Sequence, residues 1–320
     1  MTAAALSLVV LTLNVSGPRR LHQGWPTRRE AITARLKAEG ADVAAFQEVW
    51  RAEDLAALGE AAGHEHRVQD ESLGLAVTSR LPIESHASRA FGGGYGALRA
   101  RLTAGKSGLD AYSARLEPGE GVAAARRLGQ MFRLAEFIRS ESAARPFVLL
   151  GDLGVAADER DSGLLLDLIE GRDLCVSHGD EVCGRTLGDR RVDYAVIPYS
   201  SRPPRENAGA EFIDLLPEEG EEAPTIHFIL RARLDANVLR LKPAASPPGR
   251  DEALETIADA LSAAVDETSR GAYKATWIPF YDAYRMRAER NDAEALTAVE
   301  EEARSAIVRD AKHEAPSVPQ

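Results

Sequence analysis

Short apolar runs alternate with amphipathic stretches along the first three quarters of this 320-residue chain, and that alternation restricts the fold more than any other feature. Residues 6–13, rich in Leu and Val, read as a buried strand that ends at Asn14. Residues 27–39 read as a helix with Ala31, Ile32 and Leu36 on one face, and residues 53–62 as another. Strands are expected at 42–46, 74–78, 98–102, 109–116, 147–150, 192–197 and 227–234. The longest helix is expected at 122–142, where Leu128, Met131, Leu134, Ala135 and Ile138 recur at helical spacing. The order predicts a mixed α/β sandwich of about ten strands.

Composition narrows the class. Hydrophobic residues make up 44% and charged residues 28% of the chain, an ordinary globular mixture. The net charge is -11 and no Lys/Arg-rich run occurs. A nucleic-acid surface needs clustered cations to displace counterions, so no nucleic-acid partner is expected. No stretch reaches eighteen apolar residues, so no transmembrane segment is expected, and the protein is placed as intracellular, soluble or peripheral. Cys175 and Cys183 have no second pair with which to build a zinc site and are read as two reduced thiols.

The Pro- and Ser-containing stretch at 243–249 reads as a linker. It divides the chain into a main domain, 1–243, and a helical C-terminal extension, 244–320. Residues 251–320 hold 15 acidic against 8 basic residues. Leu254, Ile257, Leu261 and Val265 make one apolar stripe, and Leu296, Val299, Ala303 and Ile307 a second. Trp277, Phe280, Tyr281 and Tyr284 cluster between them. A solvated hairpin resting on the main domain and an element that docks a protein partner are both compatible with this pattern.

Acidic, amide and imidazole groups gather at strand ends: Asn14, Gln47-Glu48, Gly151-Asp152, Asp193 and His227. Taken singly, a strand-end acid is more often a turn or cap residue. Together they could assemble chemistry. Glu48 and Asn14 supply oxygens suited to a hard divalent cation such as Mg²⁺. His227 oriented by Asp193 would form an acid-base dyad. Three other features carry less weight. Residues 91–96, Phe-Gly-Gly-Gly-Tyr-Gly, lack the context of a phosphate-binding loop and read as a flexible surface loop. His64 and His66 read as exposed loop residues. No nucleophile elbow supports serine chemistry.

The ordered segments Leu-Thr-Leu-Asn14, Phe-Gln-Glu48-Val-Trp50, Ser-Arg-Leu-Pro-Ile83, Arg126-Arg-Leu-Gly-Gln130, Leu-Leu-Gly-Asp152, Arg-Val-Asp193-Tyr194 and Thr-Ile-His227 resemble the endonuclease/exonuclease/phosphatase superfamily across residues 6–234. The Glu-Val-Trp and Ser-Arg-Leu-Pro-Ile segments favour its neutral sphingomyelinase branch. The resemblance implies a four-layer αββα sandwich of two mixed sheets and Mg²⁺-dependent phosphodiester hydrolysis. It assigns metal binding to Asn14 and Glu48, nucleophile positioning to Asp152, and the acid-base pair to Asp193 and His227.

Three positions depart from the family pattern. Arg115 stands where Thr-His-Leu is usual, Gly154 where an Asn follows Gly-Asp, and Ile226 where an acid precedes the last His. One lost donor costs ~10²–10³ in rate, and lost acid-base help ~10²–10⁴. The expectation is therefore a non-catalytic, sphingomyelinase-like protein serving as a structural or interaction subunit through its tail. The alternative is a Mg²⁺-dependent phosphodiesterase of impaired efficiency.

Overall fold

A computed structural model describes residues 7–19, 24–104, 108–119, 122–142, 145–157, 162, 165–166, 168–169, 171–177, 180–181, 183–198, 210–213, 227 and 229–234. Ile226 and the whole extension 244–320 lie outside the described residues. In chain order the elements begin with β1 (Leu8–Asn14), α1 (Trp25–Glu39), β2 (Val43–Gln47), α2 (Ala52–Ala61), β3 (His66–Asp70) and β4 (Leu75–Ser79). There follow β5 (Ile83–Gly92), β6 (Tyr95–Leu102), β7 (Leu109–Arg115), α3 (Val122–Ser142), β8 (Phe147–Asp152), β9 (Gly171–Asp173), β10 (Val176–Ser177) and β11 (Asp180–Glu181). The last are β12 (Asp193–Pro198), β13 (Ala210–Ile213) and β14 (Ile229–Leu234).

Two six-stranded mixed sheets face each other, ordered β13-β14-β1-β2-β4-β3 and β5-β6-β7-β8-β12-β9. Each is built around one parallel pair, β1–β2 in the first and β7–β8 in the second. The expected sandwich of two mixed sheets covered by helices is what the chain forms.

Side-chain alternation explains why. Along β8, Val148 and Leu150 enter the core between the sheets, while Phe147 and Leu149 turn outward under α3. Along β1, Leu8 and Val10 face inward, while Leu11 and Leu13 pack with Trp25, Ile32 and Leu36 of α1. A strand buried on both faces reads as a continuous apolar run, and each such side chain contributes roughly 1.5–3 kcal/mol of burial.

The described residues carry fourteen strands rather than ten. Strands β3 and β5 are edge strands with one wet face, so His66–Asp70 and Ile83–Gly92 are half polar and show no apolar run. Residues 91–96 are not a loose loop. Gly93 and Gly94, with φ of 65° and 83°, turn a tight hairpin between β5 and β6 that pairs Gly92 with Tyr95; two successive positive φ values suit glycine.

Two further expectations are corrected. His64 is buried, with Nδ1 2.6 Å from Thr78 Oγ1 and Nε2 2.9 Å from the Ala41 carbonyl. Its flanks are polar, but it plugs the end of β4 against the loop before β2. Cys175 and Cys183 form a disulfide, because the chain between them doubles back through β10 and β11 and brings their Cα atoms to 5.1 Å, within bridging range.

Candidate active site

Strand phase and direction assemble the site. Inward positions along β1 are Leu8, Val10 and Thr12, a phase that continues to Asn14; along β2 they lead through Val43 and Ala45 to Gln47. The same phase leads along β7 to Arg115, along β8 to Asp152, and places Asp193 at the start of β12. Strands β1, β2, β7 and β8 all end at this edge of the sandwich, and antiparallel β12 and β14 begin there. Arg115 registers with Asp152, and Asp152 with Asp193. Residues as far apart in sequence as Asn14 and Asp193 therefore meet at one end of the inter-sheet space.

Beneath them lies a buried polar tie between the sheets. Gln47 Nε2 donates to Ser113 Oγ at 3.1 Å and to Thr12 Oγ1 at 3.2 Å, and Ser113 Oγ donates to the Phe46 carbonyl at 2.9 Å. Above it, Asn14 Nδ2 bridges two acids, donating to Glu48 Oε1 at 3.0 Å and to Asp152 Oδ2 at 2.9 Å. Its oxygen accepts the Ser16 amide at 2.9 Å. Glu48 holds φ of 58° just past the end of β2, a left-handed conformation that costs an ordinary residue roughly 1–2 kcal/mol and is over-represented at functional sites.

Arg115 reaches the same acid. Its Nη2 lies 2.9 Å from Glu48 Oε1, and its guanidinium rests 5.0 Å above the Tyr95 ring. Its Nε is buried with no hydrogen-bond partner.

The fold brings His227 and Asp193, expected as an acid-base pair, into contact. His227 Nδ1 lies 2.9 Å from Asp193 Oδ2, and Nε2 lies 3.9 Å from Asp152 Oδ2. Burial disfavours the imidazolium, but the Asp193 carboxylate, with Asp152 and Glu48 behind it, more than offsets this and pushes the His227 pKa up to about 9. Such a ring is protonated near pH 7 and is disposed to donate rather than accept. Burial, joined by the Asp193 charge, raises the Asp152 carboxyl; His227, Asn14 and Arg115 offset this only in part.

Sequence reasoning missed the parts that hold this arrangement. Thr186 Oγ1 accepts the Val192 and Asp193 amides at 3.0 and 3.1 Å. Arg191 Nη2 binds Asp173 at 2.7 Å, and Leu187 bridges to His227. Arg127 Nη1 donates to the Glu117 and Gly119 carbonyls, and Gln130 Oε1 accepts the Glu117 amide. They fix the loop after β7 that presses on Gly154. Arg127, Gln130 and Arg191 left a trace in the sequence, inside segments that gave them no role.

A divalent cation does not fit these side chains as they stand. Mg²⁺ requires a near-octahedral oxygen set, yet Glu48 Oε1 already receives two cationic or amide donors and the Asn14 oxygen faces a backbone amide. Among the described residues no group of three or more His, Cys, Asp or Glu is disposed to hold a metal.

The model of the Endonuclease/Exonuclease/phosphatase family matches residues 11–214. No curated protein matches the chain in sequence. Sphingomyelinase C from Streptomyces griseocarneus superposes with a TM-score of 0.58 at 17% identity, covering 71% of this chain and 99% of that one. TDP2 from D. rerio, complexed with a single-strand DNA product, gives 0.59 at 14% identity over 71% and 98% of the two chains. A beta toxin variant from Staphylococcus aureus with bound magnesium ions gives 0.58 at 13% identity over 71% and 99%. At these identities the likeness is one of fold.

Proposed function

Because the chain belongs to the endonuclease/exonuclease/phosphatase family, we propose that it is a sphingomyelinase-like member that has given up hydrolysis and serves as a structural or interaction subunit. The observation that carries this reading is Gly154. Its amide is turned onto Asp152 Oδ1 at 3.1 Å, and its φ is 64°. A Cβ there would lie 2.8 Å from the Glu117 carbonyl oxygen and 2.9 Å from that of Leu116. The position thus offers no side-chain donor to a phosphate oxygen, and the surrounding backbone is closed against acquiring one. Loss of one such preorganised donor costs ~10²–10³ in rate.

The extension 244–320 is the natural contact for a protein partner in this reading, since it is acidic and rich in apolar stripes. No nucleic-acid partner is assigned, because the chain is strongly acidic. No described helix is long and apolar enough to cross a membrane. The expected intracellular setting sits uneasily with the Cys175–Cys183 bond, since disulfides persist mainly in oxidising compartments.

A second reading, a Mg²⁺-dependent phosphodiesterase of low efficiency, draws its support from the complete His227–Asp193 pair. Hydrolysis of sphingomyelin and bis-nitrophenyl phosphate with Mg²⁺ or Mn²⁺ separates the two. The proposal expects a rate no greater than buffer and unchanged in His227→Ala. Turnover that His227→Ala abolishes would replace it with the second reading.

A further inference from the structure

We infer that Arg115 is a resident cation standing in for a divalent metal, and that its guanidinium shuts metal ions out of the Asn14–Glu48–Asp152 cluster. The inference rests on the family assignment and deepens the non-catalytic reading.

The cluster calls for positive charge. One amide nitrogen, Asn14 Nδ2, touches both Glu48 and Asp152, so two carboxylates are drawn together, with Asp193 behind them in register. Two like charges held this close need a counter-charge. Arg115 supplies it directly, with Nη2 on the very Glu48 oxygen that Asn14 also binds.

The arginine is also built in. It ends β7, a central strand paired on both sides, opposite Gly96 and Asp152. Its side chain is only 17% exposed and is flanked by the Tyr95 ring. A guanidinium stays charged at any pH the fold survives, and a chelator cannot remove it. For a metal ion to take Glu48, this tethered charge would have to leave its partner while remaining largely buried, which is strongly disfavoured.

A divalent ion brings open coordination positions that polarise a substrate oxygen. A guanidinium brings none. The substitution therefore keeps the charge balance that the fold requires and drops the chemistry.

Mn²⁺ binding to the full chain, read from loss of the free aquo-ion signal in electron paramagnetic resonance, tests this without reference to activity. The wild type is expected to bind no Mn²⁺ at millimolar metal. Arg115→Met, shown to be folded by circular dichroism, is expected to bind one ion with affinity higher by roughly 100-fold or more, the scale of leaving a buried charge unpaired. Adding Glu48→Gln should remove that ion. The inference is overturned if the wild type binds one Mn²⁺ that Glu48→Gln abolishes, or if folded Arg115→Met binds no better than wild type. Should Arg115→Met fail to fold, the wild-type and Glu48→Gln arms decide alone.

Failure here is distinct from failure of the non-catalytic reading. An inert wild type that binds metal at Glu48 contradicts the inference only; a metal-free wild type that hydrolyses contradicts the reading only.

Discussion

In the proposed non-catalytic reading, position 154 is where a single residue closes the simplest route to hydrolysis. Writing the missing amide in as Gly154→Asn forces a side chain into a left-handed turn and toward two carbonyl oxygens under 3.0 Å away. The variant is expected to lose roughly 1–3 kcal/mol of stability, read from a urea midpoint, and to gain no phosphodiesterase activity. Restored turnover at undiminished stability would contradict the local account. The histidines give a second prediction at this scale, with opposite signs. His227 has its pKa raised from 6.5 to about 9, so its contribution is complete below pH 6.5 and is lost as pH climbs through 9, by up to about 3 kcal/mol. His64 has its pKa lowered, chiefly by burial, so its contribution holds above 6.5 and is lost as pH falls. Urea midpoints across pH should show the alkaline decline vanish in His227→Gln. Its persistence there would place the titrating group elsewhere.

Helices α1 and α2 share apolar packing and are also clamped by a buried acid. Asp54 Oδ1 accepts both Trp25 Nε1 and Arg29 Nη1 at 2.9 Å. In Asp54→Ala the indole N–H stays buried without a partner, for an expected loss of about 1–3 kcal/mol; a midpoint unchanged from wild type would mean that the helices do not depend on this clamp. The sequence made the buried elements legible and the wet ones obscure. Central strands such as β2 and β8 announce themselves because both faces are apolar, and α3 keeps strict helical spacing over its whole length. Edge strands β3 and β5 alternate polar with apolar over few residues, and the tight turn at Gly93–Gly94 reads equally well as a loop. The site acids could be named because each ends an apolar strand. Arg115 could be named as a departure, but its seat on Glu48 could not, since that depends on two sheets meeting. The same is true of Thr186, which meets the Val192 and Asp193 amides across the turn at 187–190, and of the disulfide, set by the chain doubling back through β10 and β11.

At the scale of the molecule, both six-stranded sheets are complete by Leu234, and the sequence expectation is that the main domain ends at residue 243. A chain cut after residue 243 is therefore expected to melt cooperatively within a few degrees of the full protein, which scanning calorimetry would check. Loss of the transition would show that the extension belongs to the core rather than to a partner. The central claim concerns how the sandwich balances the charge at its mouth. A metal that binds only the folded state raises stability by about 2.7 kcal/mol at a hundredfold excess over its dissociation constant, enough to move a melting temperature by several degrees. The most direct measurement is thermal unfolding of the full chain in a chelator and then in saturating Mg²⁺. With Arg115 already on Glu48, the two curves should coincide; an upward shift in Mg²⁺ that Glu48→Gln removes would show that the site still takes a metal, and would contradict the account.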